Sequence, residues 1–213
     1  MLLRFSCFGI PVSIHWTTLI LVFLFALDAF YYASKKAKNL TKRNFIIVAV
    51  LASLLVILSI VVHEASHALV ANAFGYQITD AGINGAFAYV SNDIALNEIA
   101  PYQEFLIAFA GPASNITLGI LVMPLIYFLT HQSPSEMTIR YFSFMNLRLA
   151  RINLWPIVVL DGGHMMSSVI RALIGEPSWS PYFYTAITAV FIVYLFTKKK
   201  GRFEIEDVVD KIR

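Results

Sequence analysis

Two histidines and a glutamate, His63, Glu64 and His67, lie within a run of apolar residues where ionisable side chains are unusual. On a helix, residues four apart project from one face, so both imidazoles could bind the same metal ion. The pattern H-E-x-x-H is typical of sites in which zinc takes both histidines and the glutamate serves as a general base. The spacing therefore predicts a metal site that activates water.

A chance occurrence of this pattern is the alternative, with both histidines satisfied by hydrogen bonds to neighbouring helices. The 18 residues before His63, 45–62, carry no charged side chain. Unpaired ionisable groups at membrane depth are costly, and those that occur there are usually functional. We therefore favour the metal site.

A third protein ligand is needed, because a catalytic zinc ion usually has three such ligands and one water. The downstream glutamates fall in loops, segment ends or the tail, whereas Asp161 lies inside an apolar segment, between Pro156 and Gly162-Gly163. Broken helices expose polar groups to buried cavities. A helix-capping role would explain Asp161 on its own. Together with the HEASH motif, it favours one zinc site formed by His63, His67 and Asp161.

The composition is that of a membrane protein. Of 213 residues, 58% are hydrophobic and only 14% are charged, too few for the polar surface of a soluble domain. The net charge of +3 is small, so we expect no nucleic-acid partner. The single cysteine excludes a cysteine-rich metal site.

Five segments approach the roughly 20 apolar residues that a membrane-spanning helix needs. They are residues 16–32, 45–73, 105–130, 141–174 and 182–197, and the fourth is interrupted by Pro156 and two glycines. We therefore predict an all-α polytopic membrane protein with about five to six transmembrane helices, in the cell membrane.

The stretch 76–102 differs from these segments, since it is rich in glycine and in residues that favour strands. Its Asn84-Gly85 pair predicts the turn of a β-hairpin. Because the stretch follows the HEASH segment directly, we expect a small re-entrant hairpin beside the metal site. An ordinary surface hairpin fits the pattern equally well.

Four motifs together resemble the site-2 protease family of intramembrane zinc metalloproteases. They are HEASH, GPASN at 111–115, NLWPIVVLDGG at 153–163 and GIPVSIHWT at 9–17. The last is similar to the start of compact bacterial and archaeal members, including the sporulation-type branch. The resemblance covers about residues 9–175.

This resemblance implies one zinc ion per chain, held by His63, His67 and Asp161, with Glu64 as the catalytic base. It also implies that Asn153 lies near the scissile carbonyl, where its amide could donate to the oxyanion. The hairpin would receive an unwound substrate strand. The expected partners are a transmembrane protein substrate, the lipid bilayer and a regulatory membrane protein of unknown identity.

The expected organisation is a membrane-embedded metalloprotease domain over residues 1–200 and a short amphipathic tail over 201–213. Arg148 and Arg151 depart from the family pattern. They would either pair with Asp28 or line a polar entrance. If the segment begins later, both would instead extend to the membrane interface, which is the interpretation we favour. Asn115 would either hydrogen-bond across helices near the metal or serve packing alone.

Two other functions remain open at this point. In a metal-ion transporter the same cluster would line an ion path, but a transporter should offer successive polar sites across the membrane. An inactive relative would bind membrane helices without cutting them, and the intact Glu64 and Asp161 argue against that.

Overall fold

The computed structural model describes residues 3–7, 10–84, 88–92, 98–175, 180–197 and 209. In that part of the chain, six helices accompany four strands and one 3₁₀ helix. The strands are β1 (Leu3–Cys7), β2 (Ile10–Ile14), β3 (Ile78–Ile83) and β4 (Ala88–Asn92). The helices are α1 (Thr18–Lys36), α2 (Lys42–Ala73), α3 (Pro101–Leu121), α4 (Pro134–Asn153), α5 (Asp161–Ile174) and α6 (Ser180–Thr197), and the 3₁₀ helix is Met123–Phe128.

Four stretches are long and apolar enough to cross a membrane: α1, α2, α6, and α3 with its following 3₁₀ helix. Large apolar side chains cover their outer faces, among them Phe23, Leu54 and Phe196, which are 60%, 54% and 88% exposed. Such surfaces suit lipid and would be unfavourable in water. The predicted helical, polytopic membrane fold is therefore confirmed.

The segment predicted as a fifth span, 141–174, is divided between two helices. Helix α4 ends at Asn153 and α5 begins at Asp161. Pro156 lacks a backbone N–H and disfavours helical backbone at the preceding residue, so the helix ends before it. Neither α4 nor α5 is among the four helices of the described chain that are long and apolar enough to span a membrane.

The sheet is larger than the hairpin predicted after HEASH. Strands β3 and β4 form that hairpin, and Gly85 of the predicted Asn84-Gly85 turn lies outside the described residues, as do residues 86 and 87. The sequence did not predict the hairpin of β1 and β2, whose second strand pairs in parallel with β3. The order is β1-β2-β3-β4, so β1 and β4 are the outer strands.

Hydrogen bonds hold this sheet against the helices. The backbone N–H of His15 donates to the Ile83 carbonyl at 2.9 Å, and the Thr18 hydroxyl donates to the same oxygen at 3.1 Å. Within the sheet, Tyr89 donates to Asp80 Oδ2 at 3.1 Å, which raises the pKa of the Tyr89 hydroxyl. Strand β4 packs on α2, the helix that carries HEASH.

The helical core is formed by α1, α2 and α4. Its buried residues are Ala29, Tyr32, Ala52, Val56, Tyr141 and Met145. Helix α3 packs against α2, α4 and α5, and so links the HEASH helix to the helix that begins with Asp161.

Val209, near the C-terminus, is the one residue of the predicted tail that the structure describes. It is buried, and its carbonyl accepts a hydrogen bond from Arg140 Nη1 at 2.8 Å. Residues 201–208 and 210–213 of the predicted tail lie outside the described residues.

Candidate metal centre

The HEASH segment is helical, and its two histidines face each other. The Nε2 atoms of His63 and His67 are 3.1 Å apart, and the two rings are nearly perpendicular, with an interplanar angle of 80°. His63 is buried, with 5% of its surface exposed. One turn of α2 thus directs two ring nitrogens to the same point.

Asp161 meets this pair from the first turn of α5. Its Oδ2 is 3.1 Å from His63 Nε2, and its Oδ1 is 3.4 Å from His67 Nε2. Ligand atoms about 2.0–2.1 Å from a tetrahedral zinc ion are separated by about 3.3 Å. The three side chains therefore have the spacing of a zinc site, and they are the one such group of histidine, cysteine and acidic residues within the described chain.

Two glycines after Asp161 let α5 begin close to the loop that precedes it. A Cβ at Gly163 would lie 2.6 Å from the Ile157 carbonyl carbon and 2.7 Å from Val158 Cα. A Cβ at Gly162 would collide with the backbone of Leu154 and Trp155. Side chains here would push α5 away from the loop and move Asp161 away from the histidines.

The hydrogen bonds of the two rings favour a bound cation. His63 Nδ1 lies 2.6 Å from Asn115 Oδ1, and His67 Nδ1 lies 2.6 Å from the Ile107 carbonyl oxygen. Both partners are oxygen acceptors, so each Nδ1 carries the hydrogen and each Nε2 keeps a lone pair. Asp161 Oδ2 is buried and accepts no hydrogen bond from the described residues. Two lone pairs and a carboxylate converge here, an arrangement that a divalent cation stabilises.

Gly111 on α3 provides the space for such an ion. A Cβ at this position would lie 2.5 Å from His63 Nε2 and 2.6 Å from His67 Cε1. The glycine of the GPASN motif thus leaves open the volume in front of both ligand nitrogens. The residues present fit zinc in donor type, spacing and room.

Glu64 and Asn153 lie beside the three ligand-type side chains. Glu64 is half-buried, and its carboxylate interacts electrostatically with His67, His63 and Asp161. Asn153, the last residue of α4, places its Nδ2 3.4 Å from His63 Nε2. The predicted base and the predicted oxyanion donor therefore lie near the three ligand-type side chains.

Other polar residues form contacts separate from the three ligand-type side chains. His164 Nδ1 is 3.7 Å from Glu104 Oε1, in a cavity of about 210 Å³ where Arg171 also pairs with Glu104 at 2.8 Å. Arg148 Nη1 lies 4.0 Å from Asp28 Oδ2, which supports pairing for this arginine.

Sequence reasoning missed two residues near the centre, Ser59 and Asn146. Asn146 bonds to Asn115, which in turn bonds to His63, and Ser59 bonds to Asn146. The available signal was the presence of these uncharged polar side chains inside apolar segments.

Comparisons with known proteins agree with this geometry. The family model of peptidase family M50 matches residues 51–138 and 129–197. A zinc metalloprotease of Methanocaldococcus jannaschii is 27% identical over 172 residues, which cover 80% of this chain and 46% of that protein. A Synechocystis protein assigned as a zinc metalloprotease is 28% identical over 173 residues, 80% of this chain and 44% of that protein. The chain thus spans about half the length of these curated relatives.

Among solved structures, the site-2 protease from Methanocaldococcus jannaschii has a similar fold. The TM-score is 0.57 at 24% identity, and the match covers 91% of this chain and 83% of that one. The sequence relatives are zinc metalloproteases, and this chain brings two histidines and an aspartate to zinc-binding distances. The cofactor prediction, zinc, is confirmed.

Proposed function

We propose a function from one premise: this chain belongs to peptidase family M50. It is a multi-pass intramembrane zinc endopeptidase of the cell membrane, and it hydrolyses a peptide bond in or near a transmembrane helix of another protein. The observation that carries this proposal is the meeting of His63, His67 and Asp161 beside Glu64, where both histidines and the glutamate lie on α2, a helix apolar enough to span the bilayer. A site that activates water at that position can hydrolyse a peptide bond that itself lies within the membrane.

Zinc, when bound, polarises water and the scissile carbonyl. Glu64 removes a proton from the water as its oxygen attacks the carbonyl carbon. As the C–N bond breaks, Glu64 returns the proton to the leaving nitrogen. The position of its half-buried carboxylate, directly after the first histidine and outside the ligand set, supports this role.

Asn153 donates from its amide to the oxygen on which negative charge develops. A fixed N–H donor near that oxygen lowers the barrier without reorganisation during the reaction. Its Nδ2 lies 3.4 Å from His63 Nε2, next to a residue that would hold the metal, and this position supports the assignment.

The substrate helix must unwind locally, because its carbonyls are otherwise occupied by intrahelical hydrogen bonds. We assign β4 as the strand that pairs with the unwound segment, since an exposed strand edge supplies main-chain donors and acceptors. Two observations support this assignment. In the described chain β4 is an outer strand, and it packs on the helix that carries HEASH.

Cysteine cross-linking tests the β4 assignment. A cysteine at Val90, in a Cys7→Ser protein inactivated by Glu64→Gln, is expected to form a disulfide with a cysteine beside the scissile bond of the substrate. The matched control is a cysteine at Phe5 on β1, the opposite outer strand, about 14 Å away across three strand spacings. Disulfides require Cα atoms within about 7 Å, so equal yields from both positions would contradict the assignment.

A transporter is less well supported. An ion path needs successive sites, and the described residues contain a single group of histidine, cysteine and acidic side chains with ligand spacing.

Zinc dependence of cleavage tests the proposed activity. Purified protein is mixed in lipid vesicles with a transmembrane reporter peptide, and the products are identified by mass spectrometry. We expect chelation to stop cleavage and added zinc to restore it at the same bond. Zinc binding without any cleavage, together with zinc movement across the vesicle membrane, would favour the transporter.

A further inference from the structure

Four polar side chains from three helices form a continuous hydrogen-bonded chain that ends at the metal centre. Ser59 and His63 come from α2, Asn115 from α3 and Asn146 from α4. Ser59 and Asn115 are 1% exposed, and Asn146 is 0% exposed. Buried polar groups are costly unless they are hydrogen-bonded, so each of these bonds restricts its neighbours.

The orientation of the Asn146 amide is fixed by its surroundings. Its Nδ2 lies 2.9 Å from the Phe142 carbonyl oxygen, which can only accept a hydrogen bond. The same Nδ2 lies 3.0 Å from Ser59 Oγ, whose own hydrogen is donated to the Leu55 carbonyl at 3.1 Å. Turning the amide over would place its oxygen against the Phe142 oxygen. The Oδ1 of Asn146 is therefore the atom that faces Asn115.

That oxygen in turn orients Asn115. Asn115 Nδ2 donates to Asn146 Oδ1 at 2.9 Å, which leaves Asn115 Oδ1 to face His63 Nδ1 at 2.6 Å. If Asn115 turned over, its N–H group would donate to Nδ1 and the ring hydrogen of His63 would move to Nε2. Nε2 would then lack the lone pair that a zinc ligand needs.

His67 provides a contrast within the same site. Its Nδ1 faces the backbone carbonyl oxygen of Ile107. Unlike a side-chain amide, this carbonyl cannot rotate to present an N–H donor in place of its oxygen. Only the His63 tautomer depends on the orientation of side-chain amides.

We infer that Asn146, whose hydrogen bonds in the described chain go to Asn115, Ser59 and Phe142, is a positioning residue that sets the zinc-binding tautomer of His63 through Asn115. The inference rests on the proposed role of His63 as a zinc ligand. Groups that orient metal ligands typically contribute about 10–100-fold to metal affinity. Two hydrogen bonds, from Asn146 to Asn115 and from Asn115 to His63, separate Asn146 from the ligand that it orients.

The test is a double-mutant cycle read out as zinc affinity, measured by competition with a chromogenic chelator. Asn146→Leu keeps the side-chain volume but removes the acceptor, and we expect it to weaken zinc binding by about 10–100-fold. The second mutation is Asn115→Asp. A carboxylate accepts hydrogen bonds at both oxygens, so it holds the hydrogen on His63 Nδ1 in either orientation.

In the Asn115→Asp protein, the second carboxylate oxygen faces Asn146 Oδ1, and the two acceptors repel each other. Asn146→Leu removes that repulsion. We therefore expect Asn146→Leu to leave zinc affinity unchanged or improved in this background, although it weakens binding in the wild type. Such non-additivity is the signature of two residues acting as a unit. Equal loss of affinity in both backgrounds would show a purely structural role and overturn the inference.

One further measurement and one further variant keep the test decisive. Nitrogen NMR of the zinc-free, histidine-labelled protein is expected to show a second tautomer of His63, but not of His67, in Asn146→Leu. If Asn146→Leu does not fold, Asn146→Ala removes the same acceptor without adding apolar bulk beside Ser59. A single His63 tautomer in the variant that folds would overturn the inference. A wild-type protein that binds no zinc would instead defeat the proposed metal centre.

Discussion

A Glu64→Gln protein is expected to bind zinc like the wild type and to cleave its transmembrane substrate about 10²–10⁴-fold more slowly. Glutamine has nearly the same shape, but its amide cannot take a proton from water at neutral pH. The three ligand-type side chains do not include residue 64, so metal binding should persist. Zinc content is measured by metal analysis and cleavage rate by mass spectrometry on the same preparation, so that loss of catalysis can be told apart from loss of zinc binding.

Glu98→Gln is the matched control, because Glu98 is exposed and lies outside the ligand set. It is expected to retain both zinc and cleavage. Wild-type cleavage by Glu64→Gln would refute the base assignment, whereas simultaneous loss of zinc would show that Glu64 supports the metal centre itself.

Gly111→Ala is expected to abolish zinc binding, with a loss greater than the roughly 10–100-fold caused by removing a group that only orients a ligand. The added methyl group would lie 2.5 Å from His63 Nε2, closer than any real contact of a Cβ atom. Either the imidazoles move apart or the methyl group occupies the space between them and the ion. In both cases the ligand atoms lose the separation of about 3.3 Å that zinc requires.

Gly119→Ala is a stringent control for this prediction. It is the same substitution on the same helix, also at a buried glycine, and its Cβ would meet Leu147 Cγ at 2.9 Å. We expect lower thermal stability and a much smaller loss of zinc affinity than in Gly111→Ala, since Leu147 is not one of the ligand-type side chains, although it directly follows Asn146. Zinc retention by Gly111→Ala, or equal zinc loss in both variants, would contradict the proposed place of the ion.

The ligand-type side chains could be predicted because their signals are local. His63 and His67 are one helical turn apart, so the helix alone brings their rings together. Asp161 could be identified by exclusion, as a downstream acid in an apolar segment flanked by proline and glycine. Both inferences use residue type and spacing, which the sequence contains directly.

The remaining features depend on contacts between distant elements. Pairing of β2 with β3 joins residues near position 12 to residues near position 81, and no local pattern indicates this parallel register. Asn146 lies in an ordinary stretch of α4, and its importance arises from contact with Asn115 and Ser59 on two other helices. Periodicity indicates which residues face inward, but it does not indicate which buried polar side chains on different helices will form hydrogen bonds with each other.

The length of α2 has a consequence for where a substrate is cut. The helix runs for 32 residues from Lys42, and His63 lies 21 residues along it, about 31 Å from its start. The hydrocarbon core is roughly 30 Å thick, and the basic pair Lys42-Arg43 is most stable outside it. If α2 crosses the bilayer from that basic pair, the metal centre lies near the opposite face of the hydrocarbon core. The proposed cleavage at this depth would divide a transmembrane helix unequally, so that one product would keep most of its membrane anchor and the other only a short apolar end.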